Sequence, residues 1–100
     1  MTITKLPPLH PGEVLREEFL IENGLSAITV AKACLVPRTR IERLCREEIG
    51  VSGDTAIRLA AFFGTTPEFW MNLQTRFELE TAKMTRADSI IKIKQFEAAA

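Results

Sequence analysis

Long hydrophobic runs are missing from this chain of 100 residues. None approaches the roughly 20 apolar residues needed to span a bilayer. The N-terminus also lacks the basic-then-apolar arrangement of a signal peptide, so a cytoplasmic location is expected and a membrane partner is not. Histidine is nearly absent: the single copy, His10, makes a zinc cluster hard to build and is expected at the start of a helix rather than in catalysis. Cysteine occurs twice, at Cys34 and Cys45. Both fall on apolar positions of helical patterns, which predicts buried thiols in place of a disulfide or a metal site. The sequence contains no H-E-x-x-H, no G-x-S-x-G and no phosphate-cradling glycine loop. Glu17 and Glu18 invite an acid/base reading, but adjacent helix residues point about 100° apart, and a solvated face explains them. An enzyme is therefore the least expected class, and no catalytic residue, metal or cofactor is expected.

A charge of one sign is lacking as well. The formal net charge is zero, which looks unpromising for a nucleic-acid binder, yet the charge is unevenly spread. Residues 26–46 carry Lys32, Arg38, Arg40, Arg43 and Arg46 against Glu42 alone. Residues 47–80 compensate with Glu47, Glu48, Asp54, Glu68, Glu78 and Glu80 against Arg58 and Arg76. A basic element on a neutral body suits a protein that binds one short site rather than one that coats DNA. What is present, 46 % hydrophobic residues in a chain of this length, supports one folded domain with a modest core.

Helix starts and stops are spaced along the whole chain. Thr2 to His10 reads as an extended arm, and Pro11 suits the first position of a helix, where its missing N–H costs nothing. A helix over 11–23 puts Val14, Leu15, Phe19 and Leu20 on one side and Glu13, Arg16, Glu17 and Glu22 on the other. Asn23-Gly24 ends it. Ser26 caps a second helix, about 27–34, with Val30, Ala31 and Cys34 inward. Residues 34–36 make a turn, and a third helix, about 37–46, starts on Pro37 and directs Ile41, Leu44 and Cys45 to the core. Ser52 begins a fourth, with a stripe of Ala56, Ile57, Leu59, Ala60 and Phe63, closed by Gly64. Thr66 caps a fifth that starts on Pro67, runs to about Lys83 and buries Phe69, Trp70, Leu73 and Phe77. After Arg86, Ile91, Ile93 and Gln95 alternate with Lys92, Lys94 and Phe96, a pattern more like a strand than a helix. A lone strand is not stable, so its simplest partner is its own copy in a second subunit. The expected division is a helical domain over 1–85 and a C-terminal extension over 86–100, a candidate for dimer formation with a frayed Ala98–Ala100 tail.

Between Leu25 and Leu44 two short amphipathic segments sit back to back across a hinge of a few residues. That is the sequence shape of a helix-turn-helix, whose second helix enters a DNA major groove. The motif's geometry puts Arg38, Thr39 and Arg43 on the groove-facing side. Arginine can donate two hydrogen bonds to guanine O6 and N7, and threonine offers a hydroxyl or a methyl group. Arg40 and Arg46 are better placed for phosphates. Ser26 and the free N–H groups that open the second helix at Ala27 suit a phosphate too, since a helix N-terminus favours an anion.

Five short helices with the DNA-reading pair second and third resemble the lambda-repressor-like, Cro/C1-type domain, an all-α fold. His10-Pro11-Gly12-Glu13-x-Leu15, Leu25-Ser26, Ala31-Lys32-Ala33, Val36-Pro37 and Ser52-x-Asp54-Thr55-Ala56-x-Arg58-Leu59 narrow this to a resemblance to the HigA family of toxin–antitoxin antidotes. The most specific block is Phe62-Phe63-Gly64-Thr65-Thr66-Pro67-Glu68-Phe69-Trp70-x-Asn72-Leu73-Gln74. The resemblance implies a homodimer that binds operator DNA, represses its own operon and neutralises a RelE/HigB-like ribonuclease toxin. Three departures from the family pattern stand out. Leu35 occupies a turn position that usually holds glycine and would have to tolerate a left-handed conformation or alter the turn. Glu47 and Glu48 stand where a glycine and a basic residue are usual, and Glu42 adds an acid to the reading helix. These departures leave the fold intact and point to DNA binding that is weak, strongly salt-dependent or reliant on a partner. A stand-alone repressor without a toxin, and a protein-binding module that has lost DNA affinity, are the alternative readings.

Overall fold

A computed structural model describes residues 6–99. The part of the expected arm at Thr2–Lys5 and the last tail residue, Ala100, lie outside the described residues. Most helices begin where a side chain satisfies a free N–H group. α1 opens as an α-helical turn, Pro11–Val14, behind His10, whose Nδ1 accepts a hydrogen bond from the Gly12 N–H at 2.9 Å. It continues as a π-helical stretch, Leu15–Ile21. Ser26, Ser52 and Thr66 cap α2 (Ala27–Cys34), α4 (Gly53–Phe63) and α5 (Pro67–Ile90), each accepting from the N–H three residues ahead. α3, Arg38–Cys45, has no side-chain cap, and Pro37 precedes it in an extended conformation instead of serving as its first residue.

Three helices end in one way. The chain turns left-handed at Gly24 (φ 61°), Leu35 (φ 58°) and Glu47 (φ 63°). The next N–H then bonds back to a carbonyl of the last turn: Leu25 to Leu20 at 2.8 Å, Val36 to Ala31 at 3.0 Å and Glu48 to Arg43 at 2.9 Å. Only the first of these positions is a glycine. A left-handed backbone costs a residue with a β-carbon about 1–2 kcal/mol, and the extra freedom of glycine in the unfolded chain offsets about 0.5–1 kcal/mol of any relief. Leu35 is exposed, so little burial would be lost. Leu35→Gly is expected to stabilise the fold by about 0.5–1 kcal/mol, seen as a higher urea midpoint at unchanged slope. A lower midpoint would mean that the leucine side chain outweighs the backbone.

The core draws on every helix: Val14, Leu15 and Leu20 from α1, Val30, Ala31 and Cys34 from α2, Ile41 and Leu44 from α3, Ala56, Leu59 and Ala60 from α4, and Trp70 from α5. α2 packs on α3 and α4, α4 on α5, and α1 bridges α3 and α5. Buried His10 meets Phe77 edge-on with ring centroids 4.7 Å apart. Burial holds its imidazole below the usual pKa, which favours the neutral ring that can accept the Gly12 hydrogen bond.

Several expectations are corrected. Ile57 is not in the core but 61 % exposed, because Ala56, Leu59 and Ala60 take the inward positions of α4 and turn their neighbour to its edge. Phe69 is 38 % exposed, and Leu73 and Phe77 are only half-buried, so Trp70 alone of the predicted quartet is enclosed. α5 does not stop near Lys83. It continues without a break through residues 85 and 86 to Ile90, and no strand follows among the described residues. Met84, Arg86 and Ala87 are good helix formers that prolong the helix, while alternating isoleucines without a second strand have no ladder to join.

Candidate nucleic-acid interface

α3 lays Ile41 and Leu44 in the core with no exposed surface, and the helical period then turns Arg38, Thr39, Arg43 and Arg46 outward, all four exposed. Thr39, Arg43 and Arg46 follow one ridge by their spacing, and Arg38 with Glu42 forms the neighbouring row. Ser26 is exposed at the start of α2. Its Oγ accepts from the Thr29 N–H at 3.2 Å and lies 2.9 Å from the Thr29 hydroxyl. Ala27, the first residue of α2, is half-buried.

Arg40 is drawn away from this face. Its Nη1 lies 2.6 Å from Asp54 Oδ2 on α4, and Arg58 Nε reaches the same oxygen at 3.0 Å. Hydrogen bonds from Arg40 and then Arg58 hold the Asp54 carboxyl below its usual range. Arg58 also acts on α2, where its Nη1 donates to the carbonyls of Cys34 at 3.0 Å and Leu35 at 3.4 Å, closing the end of that helix and the left-handed turn. Arg16 serves α3 similarly, donating from Nη1 to the Cys45 carbonyl at 2.5 Å and pairing with Glu47 at 3.2 Å. Gln74, buried on α5, accepts the Val51 N–H at 2.8 Å and so pins the loop ahead of α4.

Sequence reasoning missed all three of these positioning residues. The only local signal was the four-residue spacing of Asp54 and Arg58, which marks an ion pair along α4 but not its reach to α2. The thiols of Cys34, buried, and Cys45, half-buried, are free, and burial raises the pKa of both. Among the described residues no helix is long and apolar enough to cross a membrane.

Carboxylates accompany every arginine of α3. Besides the Arg40–Asp54 pair, Arg38 Nε lies 3.2 Å from Glu42 Oε1. Arg43 Nε and Arg46 Nη1 each lie 3.5 Å from a different oxygen of Glu48. Glu47 faces Arg16 of α1 instead. The acids that looked out of place in the sequence thus lie among the cations, and the basic face is partly neutralised within the molecule.

Residues 15–70 match the helix-turn-helix family. Antitoxin HigA-1 of Vibrio cholerae is 38 % identical across 79 % of this chain and 74 % of its own length. The structure of antitoxin GraA in complex with its operator superposes with a TM-score of 0.87 at 44 % identity, covering 98 % of this chain and 100 % of that one. The Pseudomonas aeruginosa antitoxin HigA with the higBA promoter gives 0.86 at 41 % identity, over 90 % and 99 % of the two chains.

Proposed function

This chain belongs to the HigA family of helix-turn-helix antitoxins, and from that membership we propose that it binds operator DNA as a homodimer, represses its own operon and neutralises a RelE/HigB-like ribonuclease toxin. The observation that carries the DNA-binding part is α3 itself, anchored by Ile41 and Leu44 with Arg38, Thr39 and Arg43 facing out. Arg38 and Arg43 are the residues assigned to base edges, where a bidentate pair to guanine discriminates by about 1–3 kcal/mol, and Thr39 contacts a neighbouring base. Ser26, the Ala27 N–H and Arg46 take phosphates. Arg40 joins them only by leaving Asp54. Two relatives of similar fold were solved with operator or promoter DNA, which supports the assignment.

The dimer reading rests on the C-terminal end. Residues 83–99 are all exposed, yet they include Met84, Ile90, Ile91, Ile93 and Phe96. An exposed segment with that many large apolar side chains suits a second copy of the same segment. We assign 1–85 to DNA binding and 86–100 to dimerisation. The toxin follows from family membership, and no residue is assigned to its contact.

Fluorescence anisotropy tests the DNA reading: the protein is titrated against DNA upstream of its own operon and against a scrambled duplex, at two salt concentrations. Arg38→Ala and Arg43→Ala are each expected to cost about 1–3 kcal/mol on the cognate site, roughly 5- to 150-fold in affinity. Both variants binding like wild type would remove the two arginines from the reading face. The carboxylates on α3 favour one other reading, a protein-binding module without DNA affinity. Binding to neither the operator nor the scrambled duplex would select that reading.

A further inference from the structure

We propose that Glu48 is a built-in counter-ion of the reading helix, which competes with DNA for Arg43 and Arg46 and thereby sets the affinity for phosphate backbones. The proposal rests on the reading of α3 as the DNA-facing helix.

The backbone positions this acid. Glu47 turns left-handed after α3, and the Glu48 N–H bonds back to the Arg43 carbonyl at 2.9 Å. The chain is thereby folded over the last turn of the helix, and the two carboxylate oxygens of Glu48 reach different arginines, each at 3.5 Å. All three side chains remain about half exposed, so the pairs are weak enough to exchange partners in solution. Glu47 does not share this role, because Arg16 of α1 and the reversed backbone hold it elsewhere.

The Glu48 carboxylate competes with a DNA phosphate for Arg46 and with a base edge for Arg43, and it repels the phosphates on either side. Binding must therefore break two pairs and leave an anion beside the backbone. A cation already neutralised by its own chain also adds less to the release of ions that drives association, so the salt dependence of binding is shallower than the count of arginines implies.

Glu48→Gln preserves side-chain size and the backbone hydrogen bond while removing the charge. Glu22→Gln is the control: it makes the same change in net charge at the residue that ends α1, an exposed acid that pairs with no cation among the described residues. Each protein is run on immobilised heparin and titrated with operator and scrambled duplexes across a salt series. The expected result is that Glu48→Gln elutes from heparin at higher salt and binds the scrambled duplex about tenfold tighter. Its plot of log affinity against log salt should be steeper by about one unit, while Glu22→Gln matches wild type. Unchanged or weaker binding by Glu48→Gln to heparin and the scrambled duplex, or an equal gain by Glu22→Gln, would overturn the proposal. A gain on heparin and scrambled duplex with no operator preference in either protein would uphold the counter-ion and defeat the operator reading.

Discussion

Trp70→Ala is expected to lower folding stability by about 3–5 kcal/mol, the range for removing a large aromatic side chain from a core. Trp70 is fully buried where three helices meet. Its ring lies 5.0 Å from the rings of Phe19 on α1 and Phe69 on α5, and 6.5 Å from Phe63 on α4. Its indole N–H donates to Thr65 Oγ1 at 2.8 Å, which ties the α4–α5 turn to the core. The substitution removes the packing of all three neighbours and one hydrogen bond together. Since domains of this kind are stable by only about 5–15 kcal/mol, the variant should be close to unfolding at physiological temperature. Because Trp70 is the only tryptophan, the measurement is urea unfolding followed by far-ultraviolet circular dichroism rather than fluorescence. Trp70→Phe, which restores most of the ring area without the donor, should recover more than half of the loss. A cost below about 1 kcal/mol for the alanine variant would show that the aromatic cluster closes over the gap.

Gly12→Ala is the second large effect, and its sign runs against helix propensity. Alanine is favoured over glycine in a helix by about 1 kcal/mol. At Gly12, however, a β-carbon would overlap the Leu44 carbonyl oxygen of α3 and sit 3.0 Å from His10 Nδ1. A backbone oxygen cannot swing aside as a flexible side chain can, so the cost belongs at the upper end of overpacking, about 3 kcal/mol. The expected net loss is about 2–3 kcal/mol. The effect should also reach the proposed DNA surface, because the easiest relief moves α3 away from α1 and shifts Arg38 and Arg43 with it. A tenfold or greater loss of operator affinity, in a variant still folded by circular dichroism, is the expected companion result. Gly53, in the first turn of α4, has open space at its β-carbon position and supplies the control. Stability equal to wild type in Gly12→Ala would refute the close approach of α1 and α3.

The effects that remain small are consistent with the same physics. Surface ion pairs such as Arg38–Glu42 and Arg76–Glu80 hold exposed side chains and contribute little to folding.

Local chemistry made much of this protein legible in its sequence. Ser26, Ser52 and Thr66 announce helix starts because each satisfies an N–H only three residues away. Gly24 and Gly64 announce helix ends because a left-handed residue is easiest without a β-carbon. The outward face of α3 follows from the 3.6-residue period once Ile41 and Leu44 are taken inward. All these relations span about one turn of helix, so the chain specifies them without knowing its own fold. Leu35 came from the family resemblance instead: a position that usually holds glycine left either a left-handed leucine or an altered turn, and the leucine is left-handed.

What only the tertiary structure decided are the relations between residues far apart in the chain. Arg58 closes the turn after α2 across 24 residues, and Arg16 closes α3 across 29. Neither reach is encoded by spacing. The exposure of Ile57 and the crowding at Gly12 depend on which helix docks where, and residue type alone is silent on both. The same holds for the acids beside α3. In sequence Glu47 and Glu48 are equivalent neighbours, but the left-handed backbone sends one carboxylate to α1 and the other to Arg43 and Arg46. Periodicity and capping act within a turn, whereas electrostatic partners are chosen by packing, which is fixed only when the helices assemble.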